Sequence, residues 1–221
     1  MTKCMAFLCV CFLGTALLPA QQPKTQAPNK WDIFGGYSFF QAYDYAVMAP
    51  VGMNGGQASV TYFPTRHLGF GGEYSAFANG TENQLIGSVN VARTVKSQEY
   101  LFGPTLRFGL KGAGNQRISF FVHQLFGVSH VTFATSSTSS TNSSCYGTAV
   151  SCSVNPFEML SGGGIDIKAN KHISLRPVQF DYWSVEITCA SLGATGPDVD
   201  STCGTYGARG FRYTPGAVIR F

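Results

Sequence analysis

"EYLFGPTLRF", Glu99 to Phe108, is a stretch with two faces. Tyr100, Phe102, Leu106 and Phe108 lie on one side of an extended chain, and Glu99, Gly103, Thr105 and Arg107 lie on the other. A period of two marks a β-strand between an apolar and a polar environment. The pattern recurs in both directions. Upstream, Leu68, Phe70 and Tyr74 oppose Gly69, Gly71, Glu73 and Ser75. Ala58, Val60 and Tyr62 oppose Gln57, Ser59 and Thr61, and Ile33, Tyr37 and Phe39 oppose Asp32, Gly36 and Ser38. Downstream, Ile118, Phe120, Val122, Phe126 and Val128 oppose Ser119, His123, Gly127 and Ser129. Phe157, Met159, Ile165 and Ile167 oppose Glu158, Gly162, Gly164, Asp166 and Lys168. In the closing "GFRYTPGAVIRF", Phe211, Tyr213, Ala217, Ile219 and Phe221 oppose Arg212 and Arg220. Gln124 breaks the apolar face, and Phe121 and Leu125 break the polar one. "ISLRPVQFDYW" loses phase at Arg176-Pro177. A bulge at Pro177, which has no N–H for the ladder, restores it: Arg176, Gln179 and Asp181 share one face, and Val178, Phe180 and Tyr182 the other.

Eight strands are expected, over 31–41, 55–64, 68–78, 97–109, 117–133, 157–169, 172–187 and 206–221. The connections between them are sorted. Those near Thr65, Lys111 and Asn170 are short, and those over 42–54, 79–96, 134–156 and 188–205 are long. In a meander this places tight turns at one end of the sheet and long loops at the other, the asymmetry of a transmembrane barrel. Gln84–Val95 reads either as an extension of the fourth strand beyond the membrane or as extra strands.

The beginning of the chain has its own logic. Lys3, an apolar run from Met5 to Leu18 and a small residue at Ala20 have the layout of a secretory signal peptide over 1–20. The run is too short for a helix that must cross with ~20 apolar residues. Cys9 and Cys11 do not follow the small-residue box of a lipoprotein. "QQPKTQAPNK", 21–30, reads as a disordered lead-in. Only 12% of the chain is charged, about half the usual share. No later run is long and apolar enough for a membrane helix, so the apolar surface must go elsewhere. A scattered net charge of +4 gives no footing for nucleic acid. Cys145, Cys152, Cys189 and Cys203 form an even set in an exported chain, and local pairs Cys145–Cys152 and Cys189–Cys203 are expected. Neither spacing suits a metal, and no histidine lies nearby.

Size decides which face points inward. A soluble lipocalin-like barrel would hold its apolar face inside. An eight-stranded barrel has room for a modest filling only, and the aromatic face would overfill it. That face therefore points to lipid, and the fold class is all-β: an eight-stranded antiparallel up-and-down transmembrane β-barrel over 31–221. Trp31, Tyr100, Tyr182 and Trp183 are expected in the interfacial girdles. Inward charges need partners. Glu73, Glu99, Asp166 and Asp181 against Arg107, Arg176, Arg212 and Arg220, with His123 among them, predict a closed ionic network and not an open pore.

The run "WDIFGGYSFF", with "LFGPTLRF", "GGGIDIK", "RPVQFDYW" and the terminal Phe221, resembles the small outer-membrane β-barrels of the OmpA-like or OmpX-like class, over essentially all of the exported chain. The resemblance implies a place in the bacterial outer membrane. It also implies insertion by the barrel-assembly machinery, with Phe221 as the assembly signal. The chain stops at Phe221 without a peptidoglycan-binding domain of the OmpA kind, which takes cell-wall tethering out of the expected roles.

For function, the Gly-rich stretches lack phosphate-loop spacing and imply no cofactor. A triad can be drawn through His123 and Asp181, but no motif marks a nucleophilic serine, so both read as lumen residues. His130 is the only histidine placed for a rim active site of the kind outer-membrane proteases use. "TSSTSSTNSSCYGTAVSC" and "TCASLGATGPDVDSTC" are long, polar loops that disulfides would stiffen for docking an extracellular protein or surface ligand. A structural or surface-interaction barrel is the favoured reading, with a small solute pore as the alternative. The "NGT" and "NSS" acceptor tripeptides carry no meaning in a bacterial envelope.

Overall fold

The computed structural model describes residues 30–44, 50–79, 82–86, 89–109, 118–137, 151–188 and 205–221. Eleven strand segments form one antiparallel sheet: β1 Trp31–Asp44, β2 Pro50–Tyr62, β3 Leu68–Ala78, β4 Glu82–Ile86, β5 Val89–Gly109, β6 Ile118–Ser137, β7 Ser151–Val154, β8 Phe157–Lys168, β9 Ile173–Thr188, β10 Thr205–Tyr213 and β11 Gly216–Arg220. β10 and β11 are one broken stave, interrupted at Thr214-Pro215. The pairings run β1–β2–β3–β5–β6–β8–β9 and then β10/β11, which return to β1 and close an eight-staved barrel. Closure leaves no edge of unpaired backbone in lipid, where such groups would find no water. The signal-peptide segment and the lead-in up to residue 29 lie outside the described residues.

Several expected loops are strand instead. β1 and β2 remain paired up to Tyr43 and Pro50, so most of 42–54 extends the hairpin. β4 pairs with the start of β5, which resolves Gln84–Val95 as both an extra strand and an extension. β5 has 21 residues and β6 has 20, against about 9–11 needed to cross a bilayer. They therefore continue beyond the membrane at the end opposite the tight turns. Those turns are capped by short side chains. Thr65 Oγ1 accepts from Leu68 N at 3.0 Å, and Asn170 Oδ1 accepts from His172 N and Ile173 N at 2.9 and 2.8 Å.

The faces follow the two-residue period. Ile33, Tyr37, Phe39, Val60, Phe70, Phe102, Phe126 and Phe180 are exposed on the outside, a continuous apolar band suited to lipid. Trp31 packs on Tyr62 at the turn end, with ring centroids 4.8 Å apart. Gln124, the polar residue on this face, is satisfied locally: its Nε2 donates to Leu160 O at 3.2 Å, and its Oε1 accepts from Ser161 Oγ.

At Pro177 the ladder slips by one residue. Ile165 faces Val178 and Ile167 faces Leu175, so Asp166 alone opposes Arg176 and Pro177. The neighbouring stave breaks at the same level, where Thr214 N donates to Gln179 O at 2.9 Å. The Pro177 carbonyl, left on the lipid side, accepts from Tyr213 Oη at 2.9 Å. Gln179 and Asp181 thereby turn inward, and so does Trp183. Trp183 is therefore no girdle residue. It sits in the interior, edge-on to Phe40 at 5.1 Å, because it shares the phase of Asp181.

An arginine at position 102, now the most exposed of the large apolar residues at 66%, places a charge in hydrocarbon. Phe102→Arg should lower stability in lipid vesicles by about 2–4 kcal/mol, whereas Lys96→Ala on the rim should stay within about 0.5 kcal/mol. Urea titration read by heat-modifiable gel mobility measures both.

Candidate functional site

The lumen is where the chain concentrates its polar chemistry, and it has two layers. The lower layer, toward the turns, begins with Asp32. Its carboxylate accepts from Arg107 Nη1 at 3.0 and 2.8 Å and from Arg220 Nε at 3.3 Å. Arg220 also donates through Nη2 to Asp166. Asp166 binds Arg176 Nε at 2.7 Å and Nη2 at 3.3 Å. The Arg176 guanidinium lies between two rings, 4.2 Å from the centroid of Phe34 and 3.9 Å from that of Phe121. Arg107 lies 3.9 Å over Phe63. Flat guanidiniums can stack on rings while their edges bond carboxylates, which a lysine could not do. This explains why aromatic residues line a polar interior. Phe121, the odd residue of its face, is a platform for Arg176.

The middle layer centres on Arg212, which is 1% exposed. It donates to Glu73, to Glu99 Oε2 at 3.1 Å, to Asp181 Oδ2 at 3.1 and 3.2 Å, and to Ser75 Oγ at 3.0 Å. Asp181 also meets His123 Nε2 at 2.8 Å and accepts from Gln179 Nε2 at 2.8 Å. Gln179 in turn accepts from Arg176 at 2.8 Å, joining the two layers. Gln57 donates to Glu73. Gly162 faces this centre because any Cβ there would overlap the Asp181 carboxylate, and a Cβ on Gly164 would press into the Phe121 ring.

Above the arginines the lumen turns apolar. Phe40, Met53, Phe77, Val95, Leu101, Leu125, Val131, Val154, Leu160, Trp183 and Val185 form one buried cluster toward the extended end. The sequence reading ended the first strand at 41 and began the second at 55, so Ala42, Val51 and Met53 fell into a supposed loop and the plug went unseen. Continuing the same alternation upward from Ser38 and Gln57 would have found it. Between the lower arginines and Glu73 lies a cavity of about 20 Å³, room for about one water.

The network brings together Glu73, Arg107, His123, Asp166, Arg176, Asp181, Arg212 and Arg220. The sequence inventory left out Asp32 and Glu158, both buried. With them, six carboxyls share the lumen with four arginines, and the expected balance becomes a surplus of acid. His130 lies outside the lumen, exposed near the extended end, with Nδ1 2.7 Å from Asn155 Oδ1. Of the four expected disulfide cysteines, Cys152 falls in β7 opposite Phe133. Cys145, Cys189 and Cys203 lie outside the described residues, and so do the staples. Among the described residues, no group of three or more His, Cys, Asp or Glu is arranged to hold a metal. Phe221 closes the sheet at the turn end, its carbonyl accepting from Lys30 N and Trp31 N at 2.7 and 3.1 Å.

No protein-family profile and no curated protein matches the sequence. Solved structures do resemble the fold. Ail, the attachment invasion locus protein of Yersinia pestis, superposes with a TM-score of 0.55 at 15% identity, covering 88% of this chain and 100% of its own. The same protein bound to the heparin analogue sucrose octasulfate gives 0.52 at 15% identity, covering 88% and 100%. Neisserial surface protein A gives 0.50 at 9% identity, covering 89% and 100%. This chain has the fold of the small outer-membrane β-barrels. At such identities the likeness extends to the fold alone.

Removing the central cation should be severe. Arg212→Gln leaves Glu73, Glu99 and Asp181 buried without their shared partner, a loss of about 3–5 kcal/mol. Adding Glu99→Gln should recover part of it. Denaturation midpoints of the two variants in vesicles test this.

Proposed function

We propose that the protein is a surface-interaction barrel of the bacterial outer membrane, presenting the loops at its extended end to a partner outside the cell, with no solute passing through its lumen. The observation that carries this reading is the filled interior: an ionic network below, an apolar plug above, and space for about one water between the lower arginines and Glu73. A solute path would require dismantling both layers. Barrels that hold an open channel are built from about 16 strands or more. The fold likeness to an attachment protein and to a surface protein supports the same reading.

The ligand class is narrowed by charge. Residues 45–49, 138–150 and 189–204 contain no lysine, arginine or histidine, and include Asp198 and Asp200. A polyanion such as the heparin analogue bound by Ail finds no cations there. Ser- and Thr-rich loops, stapled through Cys145–Cys152 and Cys189–Cys203, suit a neutral, hydrogen-bonding surface. Insertion by the barrel-assembly machinery through the last strand and its terminal Phe221 completes the proposal.

In planar bilayers the protein should give no steady openings; resolved conductance steps would overturn the closed-lumen reading. Proteoliposomes should adhere to immobilised extracellular-matrix protein. Adhesion should be lost when residues 138–150 are trimmed and should change little with salt, since no cations carry it. No adhesion, or adhesion abolished by salt, would count against the proposal. Deleting Phe221 should reduce the amount reaching the outer membrane several-fold while leaving folding in detergent intact. Fractionation and gel mobility read the two effects separately.

A further inference from the structure

Two luminal carboxyls remain unexplained by the arginine network. Glu158 is 0% exposed, and neither of its oxygens has a hydrogen-bond partner. Glu99 gives one oxygen to Arg212, and its Oε1 has none. The two carboxyls meet across the lumen, Glu99 from β5 and Glu158 from β8, within hydrogen-bonding reach of each other. Their strands are not neighbours in the sheet, since β6 runs between them. Two carboxylate oxygens in contact are both acceptors. With no donor between them, the contact is repulsive, and burial beside apolar side chains magnifies the repulsion.

Among the described side chains, the surroundings supply no remedy. Arg212, the nearest guanidinium, is already divided among Glu73, Glu99 and Asp181. His123 is engaged by Asp181. Ser129 Oγ and Trp183 Nε1 lean on the Glu158 carboxyl but form no well-made hydrogen bond. Leu101 and Leu160, two residues nearer the turns on the same strands, and Leu125 opposite Leu160 are apolar members of the plug. The connecting segments at that end, 45–49, 80–81, 87–88, 138–150 and 189–204, contain no basic residue to fold back.

We propose that Glu99 and Glu158 form a proton-binding site, in which one proton is held between Glu158 and Oε1 of Glu99 at the seam between the ionic network and the apolar plug. The bound proton turns an acceptor–acceptor contact into a hydrogen bond and removes one of the surplus negative charges. Its departure leaves two carboxylates, with Glu73 and Asp181 nearby and, among the described side chains, Arg212 and His123 to offset them. The added charge bears on the apolar side chains around it and loosens the plug from the network. The site is thus a proton-dependent latch on the extended half of the barrel, and it stands independently of any partner the loops bind.

Infrared spectroscopy of the full chain folded in lipid vesicles tests it. At neutral pH the wild type should show a buried carboxylic-acid C=O stretch above the amide I band, and Glu158→Gln should abolish it. Raising the pH should remove the wild-type band and lower the thermal midpoint in the same interval. The Glu158→Gln midpoint should stay flat there, with heat-modifiable mobility confirming that the variant is folded. A wild-type spectrum without the acid band at neutral pH overturns the proposal, even if the variant does not fold. A band that survives Glu158→Gln also overturns it. So does a wild type without the band whose midpoint rises with added sodium or potassium, which would make the bound ion a metal cation.

Discussion

Arg212 is the one side chain whose loss the interior could not absorb. It reaches from β10 to Glu73 on β3, Glu99 on β5 and Asp181 on β9, and so ties opposite walls of the barrel through a single group. Backbone ladders join each stave only to its neighbours. Cross-lumen bonds from one planar guanidinium set the distance between staves that never touch. The fork geometry of arginine suits this, since five N–H donors in a plane can serve several carboxylates at once. Below it, Arg176 and Arg220 converge on Asp166, and Gln179 passes the chain of bonds upward. The staves around this centre need glycines such as Gly162, because the lumen has no space for a side chain beside the carboxylates.

The apolar plug and the ionic network solve the same filling problem by different means. The lower lumen is filled by charges that neutralise one another and by rings on which the arginines stack. The upper lumen is filled by leucine, valine, phenylalanine and tryptophan, as in a water-soluble core. At that level the outer surface carries Lys96, Gln98, His130, Glu186 and Arg209, so the wall stands between water and an internal core. The polar face is outside there and the apolar face inside, the reverse of the lower half, which is where a reading that gives each face one polarity fails.

Much of this was legible in the residues. Alternation in "EYLFGPTLRF" and its counterparts identified the lipid face and the lumen face, and the loss of phase at Arg176-Pro177 located the bulge. The eight-staved barrel follows from those strands and their sorted connections. What escaped notice shares a physical cause. Along Phe40–Ala42, Val51–Met53 and Trp183–Val185 the apolar residues point inward and Gln41, Gly52 and Ser184 point out, so the polarity of the two faces is reversed and a strand reads as a loop or a girdle. Asp32 and Glu158 were placed on the right face but left out of the charge inventory. Their importance comes from burial and from what lies across the lumen, which spacing along one strand does not reveal.

The closing contact between Asp32 and Arg220 spans 188 positions of sequence. Such a contact forms only when nearly the whole chain is in place, so the barrel belongs to the topologies with the slowest route to the native state. Until β10 and β11 reach β1, every intermediate carries two open edges and an uncovered aromatic face. A nascent chain in that state is at risk of aggregation in water. The same ring that makes the finished molecule edgeless therefore leaves the unclosed chain with the most backbone and aromatic surface to hide from water.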